Sequence, residues 1–287
     1  MKIWLMLIVF SLHAHGNEQT LRVAVFSDQL SNIQKDLDSN GCTQLNPDSY
    51  QNNQMVMEYQ LLCQSLIELL PDIKLKLVGY PVALRAVNAV AEGEADLTGF
   101  GVWSGESNKV GIIRTMPLLE FGEFNKGLFV TPKTLQTLNI ATRKTQAVDF
   151  DKMIAVSNRN WSYDWGMLKC GMGDVLHVDH YEQMFHMLQR ERADVLPLAF
   201  GKEFGVGRRE FGVELVPIPG YKLVIPDSSH YLISSKLSFG FSLAKTLNNR
   251  LVEMREDGSL LKHYESVGAV SPVAKDWKPI CDVIREQ

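Results

Sequence analysis

The chain has 287 residues, 45% hydrophobic and 22% charged, and its 29 basic and 33 acidic side chains give a formal net charge of −4. That length holds one large domain or two moderate ones. Both signs of charge are mixed along the chain without a long basic stripe, which leaves a nucleic-acid-binding role unsupported.

The chain opens as an export signal. Lys2 precedes an apolar run over residues 3–12, and Ala14-His15-Gly16 offers small residues for cleavage. The signal is therefore residues 1–16, with a mature start near Asn17. The apolar run is too short to span a bilayer, and no later run approaches about 18 residues, so a soluble mature protein is expected. Export places the four cysteines in an oxidising compartment, where two disulfides account for the even number. Cys42 and Cys63 flank a polar loop and are the first choice of pair; Cys170 with Cys281 then follows by elimination and pins the C-terminal tail. The two other pairings, and reduced buried thiols, stay open.

Residues 21–26 (LRVAVF) read as a strand, and the polar stretch 27–54 as a long loop. Residues 55–70 carry the helical period and stop at Pro71; residues 73–80 alternate as a strand. Two segments then say nearly the same thing. RAVNAVAEGEADL (85–97) and QMFHMLQRERADV (183–195) share the same apolar spacing, end in Ala95-Asp96 and Ala193-Asp194, and run into apolar stretches. Each reads as helix, tight turn and buried strand, and two such units predict two similar lobes with a cleft between them. Between and after them, residues 127–133, 153–156, 175–178, 213–219 and 231–235 are apolar runs, and the chain is helical from Leu243, with glycines at 258 and 268. Strands alternating with helices predict an α/β fold with parallel sheets and right-handed crossovers.

Chemical motifs are scarce. There is no HExxH and no Walker A loop, and Gly205-Val206-Gly207-Arg208-Arg209-Glu210 lacks the third glycine of a dinucleotide fingerprint. His177, His180 and His186 cluster, but nothing completes a metal set, so no metal and no cofactor are expected.

The order LRVAVF, YPVALRAVNAVAEGEADL, NKGLFVTPK, MIAVSNRNWS, the second Ala-Asp copy, HYLISSK and the closing NNRLVEMREDGSLLKHYESVG resembles the family-3 bacterial extracellular solute-binding proteins, the periplasmic amino-acid-binding type. The resemblance covers residues 21–268, and the closing helix–EMREDGS–helix is its most specific part. It implies the two-lobed type II periplasmic binding fold, with lobe 1 at residues 17–126 and 230–287 and lobe 2 at residues 127–229. Crossing segments would lie near residues 125–130 and 226–231 and act as a hinge. It also implies a monomer in the periplasm that delivers a small-molecule ligand to an inner-membrane ABC permease. A sensory module docking on a membrane signalling protein is the alternative. A dehydratase-like enzyme on the same fold is a third reading, for which Asp28 and Glu106 are the acids available, and no catalysis is expected.

The chain departs from the family where an amino acid would be held. Gly105 stands at the usual Thr position and Asn108 at the position of the Arg that grips the carboxylate, with Lys109 beside it; Ala199 stands at the position of the Asp that grips the ammonium. A zwitterion buried without those partners would be costly. A different polar or aromatic solute is expected. The residues expected to line the cleft follow strands: Phe26, Ser27, Asp28, Trp103, Ser104 and Glu106 in lobe 1, with Arg85 at a helix start, and Asn160, Trp161, Ser162 and Phe200 in lobe 2. Ser162 would cap a helix, and Trp161, Tyr163 and Trp165 offer aromatic faces.

Overall fold

The computed structural model describes residues 20–42, 53–142, 147–201 and 207–282. The export signal and Gly205 lie outside them. The first part of the chain runs β1 (Thr20–Phe26), α1 (Leu30–Asn40), α2 (Gln54–Leu69), β2 (Lys74–Tyr80), α3 (Ala83–Glu92), β3 (Leu97–Thr98), β4 (Val102–Trp103) and β5 (Ile112–Arg114). The middle runs β6 (Asn125–Val130), α4 (Pro132–Thr142), β7 (Ile154–Ser157), α5 (Ser162–Gly171), β8 (Asp174–His177), α6 (Tyr181–Gln189), β9 (Leu196–Leu198), β10 (Arg208–Glu210) and β11 (Val213–Val224). The end runs β12 (Ser229–His230), β13 (Leu232–Ser234), α7 (Gly240–Glu256), α8 (Ser259–Ser266) and β14 (Lys278–Pro279).

Two main sheets result. One is ordered β2-β1-β3-β13-β5, and the other β10-β11-β6-β9. Leu21, Val23 and Val25 alternate to one side of β1 and pack with Leu62 and Leu66 of α2, all buried. The second sheet packs Phe129, Leu198 and Leu215 against Met184, Phe185 and Leu188 of α6. The sheets are mixed rather than parallel throughout. β1 is parallel to β2 and β3, but β13 returns antiparallel, and β6 runs antiparallel to both of its neighbours, β9 and β11. The reason is the double crossing: a chain that leaves the first sheet and comes back must run both ways between them. The two crossing stretches pair along their length, through a Leu119–Ser229 bridge, Ile225 N to Phe124 O at 2.9 Å, and Asn125 opposite Val224. Among the described residues no helix is long and apolar enough to cross a membrane.

The repeated Ala-Asp segments match bond for bond. Asp96 N donates to Arg22 O at 2.8 Å, and Asp96 Oδ2 accepts from Arg22 N at 2.7 Å. Asp194 N donates to Ile154 O at 2.7 Å, and Asp194 Oδ2 accepts from Ile154 N at 2.8 Å. In both copies the aspartate thereby locks the helix-to-strand turn onto the start of a neighbouring strand. The preceding helices end alike, with Glu94 N on Ala89 O and Arg192 N on Met187 O. Both need one left-handed residue, which is Gly93 (φ 74°) in the first copy and Glu191 (φ 55°) in the second. A side chain in that region costs about 1 kcal/mol, and the Lys133–Glu191 pair that the side chain makes is solvent-exposed and adds little. Glu191→Gly is expected to raise stability by about 0.5–1 kcal/mol in urea melts; a loss would show that the ion pair outweighs the strain.

Two helices lie where sequence periodicity showed none. α1 crosses the stretch read as loop, because Leu30, Ile33 and Leu37 form a single apolar stripe on an otherwise polar segment. α4 likewise follows β6 directly. Both disulfides form in the pairs read first, Cys42–Cys63 and Cys170–Cys281.

The tail after α8 joins the second sheet. β14 pairs with β11, Ile280 N donates to Lys222 O at 3.0 Å, and Lys222 Nζ caps the carbonyls of Ala274 (2.8 Å) and Lys275 (2.9 Å). Trp277 packs on Phe200, and Cys281 is bonded to Cys170 at the end of α5. The last residues therefore do not sit with the first sheet, as a lobe 1 running from 230 to 287 implied. They pass from α8, which packs on α7, to the far sheet.

Candidate functional site

The loops that leave the first sheet meet the start of α5 and the second crossing stretch. Trp103 ends β4, and its ring lies 5.6 Å from Phe124 and 6.0 Å from Tyr163. The turn after it, Ser104–Glu106, touches both the crossing and α5. Ser104 Oγ lies 3.0 Å from Ser228 Oγ, and Gly105 N donates to Asp227 Oδ2 at 2.9 Å. The Tyr163 hydroxyl donates to the same Asp227 oxygen. Ser162 Oγ donates to Glu106 Oε1 at 3.2 Å. A Cβ on residue 105 would fall 2.3 Å from the Tyr163 hydroxyl. Glycine at 105 is what lets Tyr163 reach across.

Ionisation follows from this packing. Burial pushes the Glu106 carboxyl above its usual range; the bond from Ser162 opposes that, and the nearby Asp227 charge adds to it. Burial and then the Asp227 bond push the Tyr163 phenol far up, so it stays protonated and donates. His230 is held neutral, because burial lowers its pKa. Its Nδ1 must carry the proton, since it faces Thr115 O at 2.8 Å, which leaves Nε2 to accept from Ser228 Oγ at 2.9 Å. A polar chain thus runs from Thr115 through His230 and Ser228 to Ser104.

On the second-sheet side, Asn158 shapes the entry to α5. Its Oδ1 accepts from Asn160 N at 2.8 Å and its carbonyl accepts from Trp161 N at 3.0 Å. Ser162 is the first helical residue rather than the cap, and α5 has no side-chain cap. Lys126 Nζ pairs with the buried Asp164 and lies 5.7 Å from the ring centres of both Phe124 and Trp161.

The sequence-predicted residues divide accordingly. Trp103, Ser104, Glu106 and Ser162 meet in this junction, and Trp161, 37% exposed, stands at its edge with the exposed Asn160. Phe26 packs on Phe100 at 4.3 Å, while Ser27 and Asp28 at the end of β1 and Arg85 in the first turn of α3 are exposed. Phe200 is placed elsewhere: it is buried between Phe129 and Trp277, under the C-terminal tail. Trp165 stacks with Arg159 and Lys169 instead of entering the junction. Lys109 donates to Asn88 on α3, and Ala199 offers only its carbonyl, to Arg208. The nearby guanidinium of Arg114 is spent beneath the turn, on Ser107 Oγ (2.9 Å) and Ser104 O (3.2 Å). Sequence reasoning missed Lys126, Asp164, Asp227 and His230. Asp227 and His230 do fall in the crossing stretch it placed at 226–231.

The loop that carries Trp103 is anchored from below by Glu58, which is fully buried. Its Oε2 accepts from Gly101 N at 2.9 Å, and its Oε1 accepts from Tyr264 Oη at 2.8 Å and Gln54 Nε2 at 2.9 Å. Burial raises the Glu58 pKa despite these donors. A raised carboxyl gives stability that is complete below its unfolded value of about 4.3 and is lost as pH rises through the folded value. From pH 5 to pH 8 the stability of wild type is therefore expected to fall relative to that of Glu58→Gln, in which the buried His230 contributes equally, by urea melts at both pH values. An unchanged difference would show that Glu58 is ionised at no cost.

No family model matches the chain, and no curated protein matches it. Solved structures do. An amino acid ABC transporter substrate-binding protein from Streptococcus pneumoniae, bound to L-arginine, superposes with a TM-score of 0.52 at 11% identity, over 88% of this chain and 95% of that one. The VFT2 domain of Bordetella pertussis BvgS, as a double mutant, gives 0.50 at 13% identity, over 86% and 91%. YckB from Bacillus subtilis gives 0.50 at 15% identity, over 91% and 94%. The chain has the two-lobed fold of the periplasmic binding proteins. The junction built by Trp103, Glu106, Tyr163 and Asp227 lies where the loop after β4 meets the start of α5 and the stretch before β12.

Proposed function

We propose that this chain is a periplasmic solute-binding protein that captures a small polar or aromatic solute between its lobes for an ABC-type transporter. The observation that carries this is the convergence of loop-borne aromatic and polar groups from both lobes, Trp103 and Glu106 on one side and Trp161, Ser162 and Tyr163 on the other, at paired crossing stretches. Phe26, Ser27, Asp28, Arg85 and Asn160 form the outer rim. The first lobe ends within residues 119–126 and resumes at 229, and residues 268–282 belong to the second lobe. Residues 1–16 direct export, and the mature protein acts as a monomer without catalysis.

The lobes are already bridged by side chains of the chain itself, through Tyr163, Asp227, Glu106 and Ser162. That observation favours a second reading, a ligand-sensing module whose closed form docks on a membrane signalling protein.

Thermal melts of the chain from Asn17 onward, with amines, amino acids, organic acids and small aromatics, test the first reading. A solute at 100 times its dissociation constant adds about 2.7 kcal/mol to native stability. At least one class is expected to raise the melting temperature. Silence from every class overturns solute delivery and leaves a sensor that depends on its protein partner.

A further inference from the structure

We propose that Glu106 places the chain's own negative charge at the start of α5, and that the solute bound here is an organic cation without a carboxylate, an amine or a guanidine. This rests on the solute-binding reading above.

The start of α5 is where a carboxylate would settle. The helix is ten residues long, uncapped, and the amides of Ser162, Tyr163 and Asp164 have no acceptor among the described residues. Helix N-termini of this kind attract anions. The Glu106 carboxylate already stands at this helix start, accepting from the Ser162 side chain rather than from the amides. A solute carrying its own carboxylate would have to displace it, or sit beside both it and Asp227.

The cationic groups around the junction are occupied. Arg114 holds the 104–107 turn, Lys109 is on Asn88, and Lys126 is on Asp164. Glu106 and Asp227 take their hydrogen bonds from neutral donors alone: Ser162 for one, and Gly105, Tyr163 and Ser228 for the other. Two carboxylates in a half-buried cleft repel each other and lack a counter-charge among the described residues. A cation between them relieves that repulsion; an anion adds to it.

Two independent features point the same way. Lys126 shows that an ammonium is at home against these rings, since its Nζ sits 5.7 Å from the centres of both Phe124 and Trp161. Beside it, Asp164 is 4% exposed and its Oδ1 is buried without a donor. A buried carboxylate oxygen left unpaired calls for an N–H donor. Trp103 and Tyr163 complete the aromatic wall.

The test compares solutes that differ only in a carboxylate. Agmatine against L-arginine, and putrescine against L-ornithine, are titrated calorimetrically into the wild-type chain from Asn17 onward, with tyramine and choline as further amines. At least one amine is expected to bind, and at least 100-fold more tightly than its amino-acid counterpart where it has one. Glu106→Gln, checked for folding by its melt, is expected to weaken the amine at least tenfold. An amino acid that binds as well as its amine overturns the inference while leaving solute binding in place, as does a response confined to acids or neutral solutes. A folded Glu106→Gln that binds amines like wild type also overturns it. No binding of any solute overturns the solute-binding reading and this inference together. The wild-type comparison needs no variant, so the outcome stands even where Glu106→Gln fails to fold.

Discussion

Replacing Cys170 and Cys281 together by serine is expected to lower stability by about 5 kcal/mol, the chain-entropy estimate for a bridge closing a loop of this size. The two residues are 111 apart in sequence, against 21 for Cys42 and Cys63, for which the same estimate is about 3 kcal/mol. The larger effect has a visible structural counterpart. The bridge fixes the whole tail, with β14 on β11, Lys222 capping two tail carbonyls and Trp277 on Phe200. Urea melts without reductant check the ordering. A Cys42/Cys63 double replacement that costs more than the Cys170/Cys281 one would mean that the tail holds its place without the bridge.

Gly268→Ala is expected to cost about 3 kcal/mol or more, combining a strained backbone with an overlap that cannot relax. Gly268 begins the tail with φ 73°, and a Cβ there would fall 2.2 Å from the backbone nitrogen of Gly201. The obstacle is backbone on both sides, because Phe200 N donates to Gly268 O at 3.2 Å and ties the two loops together. Gly258 is the internal control. It has φ 76° with nothing within 4 Å of where a Cβ would stand, so Gly258→Ala meets only the left-handed strain of about 1 kcal/mol. The difference between the two variants in denaturant midpoint isolates the contact between the tail and the second lobe. Equal losses would show that this contact yields freely.

Much of the architecture could be read from residues alone, for identifiable reasons. Ala95-Asp96 and Ala193-Asp194 announced two equivalent turns because a short side chain and a carboxylate are both required there: the alanines are buried, and the aspartates bond a neighbouring strand. α1 was illegible because one apolar stripe on a polar segment resembles a loop. β14 was illegible because Lys278-Pro279 carries no strand pattern, and the bridge to Cys170, once read as a pair, was the available clue. Trp103, Ser104, Glu106 and Ser162 could be grouped because they follow strands or open a helix, and the structure brings them to one junction. Asp227 and Tyr163 meet Gly105, and Lys126 meets Asp164, across 38 or more residues of chain, a relation that local pattern does not encode. Phe200 failed for the opposite reason. It also follows a strand, but the tail folds over it and makes it core.

The two bridges close two separate rings, one over residues 42–63 and one over 170–281, and the chain between 63 and 170 belongs to neither. The two crossing stretches are therefore unequal. The return passage near 224–229 lies within the larger ring, so a protease that cuts it leaves both ends covalently joined until a reductant arrives. The outward passage near 119–126 lies in the open span, and a single cut there separates the chain into two pieces held by non-covalent contacts alone.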